Sequence, residues 1–221
     1  MTIVFSPDYS TDLKYGKKPE DRSIEELLAS GFILLDKTFG PTSHQVSAWA
    51  RDMLLLDKLG HGGTLDPFAT GLLTLLSGKA VRLSSKVLSH DKSYIAVLKI
   101  HAEHSEDDIR AVMAKLTGRI YNVPPEISAV KVQVRTRTIH RFDLIEMVGN
   151  HVIAHIECES GTYVRTLASD MGLMLDCVVD LKELRRPTSG PFSLKSAVTM
   201  QQLADAYWLW KERGDETAMR L

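Results

Sequence analysis

The chain has 221 residues with 27 Lys and Arg against 28 Asp and Glu, a formal net charge of -1, 44% hydrophobic residues and 25% charged residues. These values exclude a disordered chain and one that is basic throughout, and at roughly 150 residues per domain they allow one large domain or one domain with a small appendage. They leave nucleic acid open as a partner, because electrostatic footprints are local.

Two cysteines, Cys158 and Cys177, show no CxxC spacing, so neither a disulfide framework nor a zinc motif is expected. The N-terminus has no basic stretch followed by an apolar one, and no segment reaches the ~18 apolar residues of a membrane span. A reducing, cytoplasmic setting without a membrane partner is the expectation.

Residues 1–30 read as a polar N-terminal extension with sparse apolar periodicity, and residues 31–221 as the main domain. Phe32 to Leu35 is a short apolar strand leading into a loop through Gly40-Pro41-Thr42-Ser43. Thr42 or Ser43 can cap a helix carrying Val46, Trp49, Ala50, Met53 and Leu54. In the next segment, Gly60-His61-Gly62-Gly63-Thr64-Leu65-Asp66-Pro67, three glycines within four positions imply tight backbone geometry around one histidine.

Tyr94 to Ile100 reads as a strand. Ser105 caps a helix with Ile109, Val112, Met113 and Leu116 at helical spacing, whose acidic first turn suits the dipole. The stretch from Val123 to Arg141 is extended and basic, and its interleaved Lys131, Arg135, Arg137 and Arg141 predict a strand with one cationic face. His151 to Cys158 alternates as a strand, a helix follows from about Tyr163 to Leu175, and Thr199 caps a last helix bearing Leu203, Ala206, Tyr207 and Trp210. Strands and helices mixed without regular βα alternation predict an α+β fold.

Asp66 is the first candidate for chemistry, since a carboxylate beside a glycine-rich turn can serve as nucleophile or general base. An Asp-Pro pair is also an ordinary helix opening, with Asp as N-cap and Pro at the first helical position. His61 is either a solvated turn residue or a ligand contact. Arg165 lies among apolar neighbours at a strand-to-helix junction, where its fork of donors needs a carboxylate or phosphate unless it is simply exposed. Lys92-Ser93-Tyr94 opens a strand with an aromatic that is either core or a stacking platform. Ser77-Gly78-Lys79 lacks the upstream glycine of a Walker loop, and the histidines form neither HExxH nor a Cys/His cluster. Between Lys79 and Arg141 there are twelve Lys and Arg against six Asp and Glu, so the charge is segregated; a charge run is usually a solvated face, yet long cations alternating along a strand can track a phosphate backbone.

The segments 31–46 (GFILLDKTFGPTSHQV), 59–73 (LGHGGTLDPFATGLL), 92–94 (KSY), 123–131 (VPPEISAVK), 161–172 (GTYVRTLASDMG) and 184–192 (LRRPTSGPF) together resemble the TruB family of pseudouridine synthases, in the family's order. The phrases AVKVQVRTRTIH, ELRRPTSGPF and AYWLWKERGDETAMRL resemble its archaeal and eukaryotic dyskerin-type branch. Proteins of that branch normally continue into a C-terminal PUA domain, which is expected to be absent here.

The resemblance implies a pseudouridine synthase catalytic fold, with a central mixed, mainly antiparallel sheet flanked by helices and loops. The implied reaction isomerises uridine to pseudouridine in RNA, without cofactor or metal, with Asp66 as the catalytic nucleophile. Asp66 would add to the base at C6, attack C1′ or take a ribose proton, and the sequence leaves these open. Arg165 is implied to pair with Asp66, Tyr94 to stack on the flipped uracil and Leu184 to line its pocket. His61, Lys92, Lys131, Arg135, Arg137 and Arg141 are implied RNA contacts. Implied partners are tRNA, modified in its T-loop, or rRNA with a box H/ACA guide RNA and small H/ACA accessory proteins, with a nucleolar location in a eukaryotic cell. The other reading is a catalytically silent RNA-binding scaffold on the same fold.

Overall fold

The structure is a computed structural model that describes residues 16–123 and 134–220. Six helices, α1 (Ile24–Ala29), α2 (Ser43–Met53), α3 (Ser84–Leu88), α4 (Glu106–Lys115), α5 (Val164–Leu175) and α6 (Met200–Arg213), surround one sheet. Its strands are β1 (Phe32–Lys37), β2 (Leu59–His61), β3 (Thr70–Ser77), β4 (Lys92–Ile100), β5 (Gly118–Asn122), β6 (Arg135–Val148), β7 (His151–Cys158), β8 (Val179–Ser189) and β9 (Phe192–Ser193). The order is β1-β3-β8-β4-β7-β6-β5, with β2 on β3 and β9 on β8. Every strand pair is antiparallel except β3 with β8, so the sheet is mixed and mainly antiparallel, as expected.

Among the described residues the buried side chains form two large cores and a small third cluster of Leu76, Ala80 and Val87. The larger packs α4 and α5, through Ile109, Met113, Leu167 and Met171, against Ala96, Leu98, Val152, Ala154 and Ile156 of β4 and β7. Each of the larger of these side chains, the alanines apart, contributes about 1.5–3 kcal/mol when fully buried. The second core packs α1, α2 and α6 against Leu35, Leu73 and Leu75. Capping boxes start α1, α2, α4 and α6 at Ser23, Thr42, Ser105 and Thr199, which satisfies donors that a helix start leaves unpaired.

The structure departs from the sequence reading in three places. Part of the expected polar extension is packed: α1, opened by a capping box at Ser23, buries Ile24 and Leu28 in the second core. Asp66-Pro67 opens no helix; these residues form a tight turn closed by Ala69 N–H donating to the Asp66 carbonyl at 3.0 Å. The basic strand has no single cationic face. A register shift between Ile139 and Arg141 leaves both Ile139 and Phe142 buried, so Arg141 points away from the face that carries Arg135 and Arg137. The remainder of that stretch, including Lys131, lies outside the described residues.

Candidate active site

The loop 62–69 joins β2 to β3 and presents Asp66. Its backbone is irregular, so its carbonyls need donors from elsewhere, and three side chains supply them. Lys37, at the end of β1 and 1% exposed, donates from Nζ to the carbonyls of Ala69 (2.8 Å), Thr38 (3.0 Å) and Pro67 (3.2 Å). Ser43, in the first turn of α2, accepts from Leu65 N–H at 2.8 Å and donates to Leu65 O at 3.0 Å. Arg186, on β8, donates to the carbonyls of Leu72 (2.8 Å), Gly63 (3.0 Å) and Thr64 (3.4 Å). Glycine is required where the loop is tightest: a Cβ on Gly62 would lie 2.2 Å from a Val87 methyl carbon.

Arg165 reaches Asp66 from the first turn of α5. Its Nη2 donates to Asp66 Oδ1 at 3.1 Å, and its Nε lies 3.0 Å from Oδ2 without the alignment of a hydrogen bond. Each of the two side chains is about a third exposed, 32% and 34%, so the pair opens to solvent on one side. Asn122, buried at the end of β5, fixes the start of α5. It accepts from Tyr163 N–H at 2.8 Å and donates to Tyr163 O at 3.3 Å, and Thr166 Oγ1 donates to Val123 O at 2.7 Å.

Tyr94 lies on β4 within the larger core, near Leu65 and Leu184. Burial pushes its phenol above the ordinary value, opposed by the neighbouring Arg186 charge. The strand register places Arg186 and Pro187 opposite it across a bulge. Leu184, opposite Ala96 on β4, is buried in the same cluster.

The other predicted contacts divide. His61 is half-buried at the end of β2 with its ring against His44, centroids 4.9 Å apart, and burial holds its imidazole below the ordinary value, with His44 and Arg186 adding to the effect. Lys92, implied as an RNA contact, is buried and donates to the carbonyls of His90 (2.5 Å) and Leu88 (2.6 Å), and burial brings its pKa down to about 8. Arg137 lies over Gly161, 3.6 Å from Glu159, and Arg135 is exposed at the start of β6. Arg141 is held by Asp143 and lies 4.0 Å from Glu157.

Sequence reasoning missed Lys37, Ser43, Asn122 and Arg186 as site residues. A signal was available for Lys37 alone, a long cation closing the mostly apolar strand FILLDK, where a buried charge must find partners. Among the described residues no group of three His, Cys, Asp or Glu is arranged to hold a metal ion, and no helix is long and apolar enough to cross a membrane.

The sequence also matches known families along most of its length. Residues 51–164 match the N-terminal domain of TruB family pseudouridylate synthases, residues 165–221 the tRNA pseudouridylate synthase B C-terminal domain, and residues 3–47 the DKCLD (NUC011) domain. A probable tRNA pseudouridine synthase B of Methanothermobacter thermautotrophicus is 45% identical over 96% of this chain and 65% of its own length. The crystal structure of a Cbf5-Nop10-Gar1 complex contains a chain of the same shape, with TM-score 0.90, 40% identity and coverage of 97% of this chain and 65% of that one. An H/ACA RNP bound to a substrate RNA containing 2′-deoxyuridine gives TM-score 0.88 and 37% identity over 99% of this chain and 66% of that one. The chain thus spans about 65% of the length of the relatives it matches. With the family match covering just over half of its residues, including the Asp66 loop, this chain belongs to the TruB family of pseudouridylate synthases.

Proposed function

We propose that the chain isomerises uridine to pseudouridine in RNA, with Asp66 as the reacting carboxylate. The observation that carries this reading is the half-open Asp66–Arg165 pair on a loop clamped by three buried side chains, with Tyr94 in the same core cluster as Leu65, the neighbour of Asp66. Nucleophile, guanidinium and aromatic ring are what a reaction that detaches and turns a base requires. The carboxylate acts at the base or the sugar, the arginine orients it, and the ring gives the flipped uracil a face to turn against. Leu65 and Leu184 share a hydrophobic cluster with Tyr94 and give its surroundings an apolar character. A silent scaffold has no chemical use for the three together.

Two substrate modes follow from the relatives. One resembles a stand-alone tRNA pseudouridine synthase acting on the T-loop uridine, and the other sits in an H/ACA ribonucleoprotein with accessory proteins. We favour competence for both, with residues 31–221 and α1 as one catalytic unit in the cytoplasm, or in the nucleolus of a eukaryotic cell. Arg135, Arg137 and His61 are the RNA contacts of this reading, Arg141 being turned to the other face and Lys92 serving the interior. Incubating the purified chain with a tRNA transcript, with and without guide RNA and accessory proteins, tests it. Pseudouridine in the T-loop without additions supports the stand-alone mode; formation only with additions supports the guided one; none in either contradicts the proposal.

A further inference from the structure

Arg186 is the largest fully buried side chain among the described residues, 2% exposed, and none of its hydrogen bonds goes to a carboxylate. A buried, unpaired charge is costly, and an apolar side chain of similar size would fill the same space at less cost. The one carboxylate of the adjacent loop, Asp66, is already paired with Arg165. Local register explains how the guanidinium comes to be there. Ser93 pairs with Thr188 and Ile95 with Arg185, so Arg186 and Pro187 together face Tyr94 across a bulge. A bulge re-aims a side chain, and Pro187, with no N–H to give the ladder, is tolerated there. On its other edge β8 runs parallel to β3, and a Cβ on Gly71 would stand 2.5 Å from the Arg186 carbonyl oxygen. The arrangement leaves one charge facing Tyr94, and a Cβ on Gly63 would stand 3.6 Å from the Arg186 guanidinium and 3.7 Å from the Lys92 side chain.

We propose that Arg186 is a positioning residue of the reaction: it fixes the Gly63–Thr64 backbone that presents Asp66, and, facing Tyr94 across the bulge, it holds a fixed positive charge behind the ring against which the uracil turns. This rests on the function proposed above. In that reaction the N1–C1′ bond pair leaves with the ring. Joining C5 to C1′ uses a ring electron pair, the C5 proton is then released, and N1 takes one up. Between bond breaking and bond making the ring carries negative charge, whichever route Asp66 follows, and a fixed cation in a dry site stabilises it without reorganisation.

The test compares the wild-type chain with Arg186→Lys and Arg186→Gln. It measures single-turnover pseudouridine formation on tRNA, RNA affinity, and amide hydrogen exchange across residues 62–69. Affinity stays within about threefold of wild type in both variants. Turnover falls about 10²-fold in Arg186→Gln, with Arg186→Lys intermediate, because lysine returns the charge without the three-way fork. Loop exchange accelerates in both. A merely structural role lowers turnover equally in the two variants, and that result overturns the proposal, as does a folded Arg186→Gln with turnover within about threefold of wild type. If Arg186→Gln does not fold, unchanged turnover in Arg186→Lys overturns it. If the wild-type chain forms no pseudouridine on any RNA, the functional reading fails, and unchanged loop exchange in Arg186→Lys then separately overturns the positioning role.

Discussion

Asp66 and Arg165 meet from positions 99 residues apart, and the two sides of the pair are held by different means. The Asp66 loop has no ladder of its own, so β1, α2 and β8 each send a buried side chain to its backbone, two of them cations. Arg165 stands on a helix that satisfies its own backbone, and one neutral amide, Asn122, with the Thr166 hydroxyl is enough to fix its start. Irregular backbone at a reaction site requires imported donors, and the cost of importing charged ones is a set of buried cations that also shape the local potential. The carboxylate side should therefore be fragile to loss of a clamp, whereas the arginine side should be fragile mainly at the arginine itself.

Arg165→Lys breaks the comparison at its contact point. A point-charge ammonium cannot reproduce the planar fork, and turnover should fall about 10²- to 10³-fold while RNA affinity changes little, as read by single-turnover kinetics and filter binding. Lys37→Met should cost about 2–3 kcal/mol in urea denaturation, because the carbonyls of Thr38, Pro67 and Ala69 lose their donor in a buried place. Asn122→Ala, the matching change on the arginine side, should cost about 1–2 kcal/mol, smaller because a neutral amide is lost.

Lys92 provides a pH test of the buried cations. Its folded value of about 8 lies below the 10.5 of an unperturbed lysine, so between these values the unfolded chain binds more protons and stability rises with pH. Below about 8 both states carry the charge and the contribution is flat. Relative to Lys92→Met, the wild-type chain should gain about 1 kcal/mol between pH 8 and 9 in denaturation experiments. Arg141→Ala should have the smallest effect, within about 0.5 kcal/mol in stability, since its partners Asp143 and Glu157 are solvated and the residue faces away from the pair.

Much of this was legible before the structure. The capped helices at Thr42, Ser105 and Thr199 and the alternating strand His151–Cys158 follow from spacing alone, because one face of each meets a core. β3 escaped notice because Leu72, Leu73, Leu75 and Leu76 are buried on both faces and do not alternate. β8 escaped because its sequence, VDLKELRRPTS, is polar, and only the bulge shows why an arginine belongs inside it. Asp66, Tyr94 and Arg165 were drawn together by family resemblance rather than by spacing. The meeting of Asp66 with Arg165 depends on the contact between the β2–β3 loop and α5, a tertiary relation that no local pattern records.

The most direct measurement is single-turnover pseudouridine formation on tRNA by the wild-type chain and by Asp66→Asn, with RNA affinity determined for both. The side-chain shape is conserved and the charge is removed, so affinity should stay within a few-fold while product formation falls at least about 10³-fold. An Asp66→Asn variant that forms pseudouridine at close to the wild-type rate would contradict the assignment of Asp66 as the reacting carboxylate.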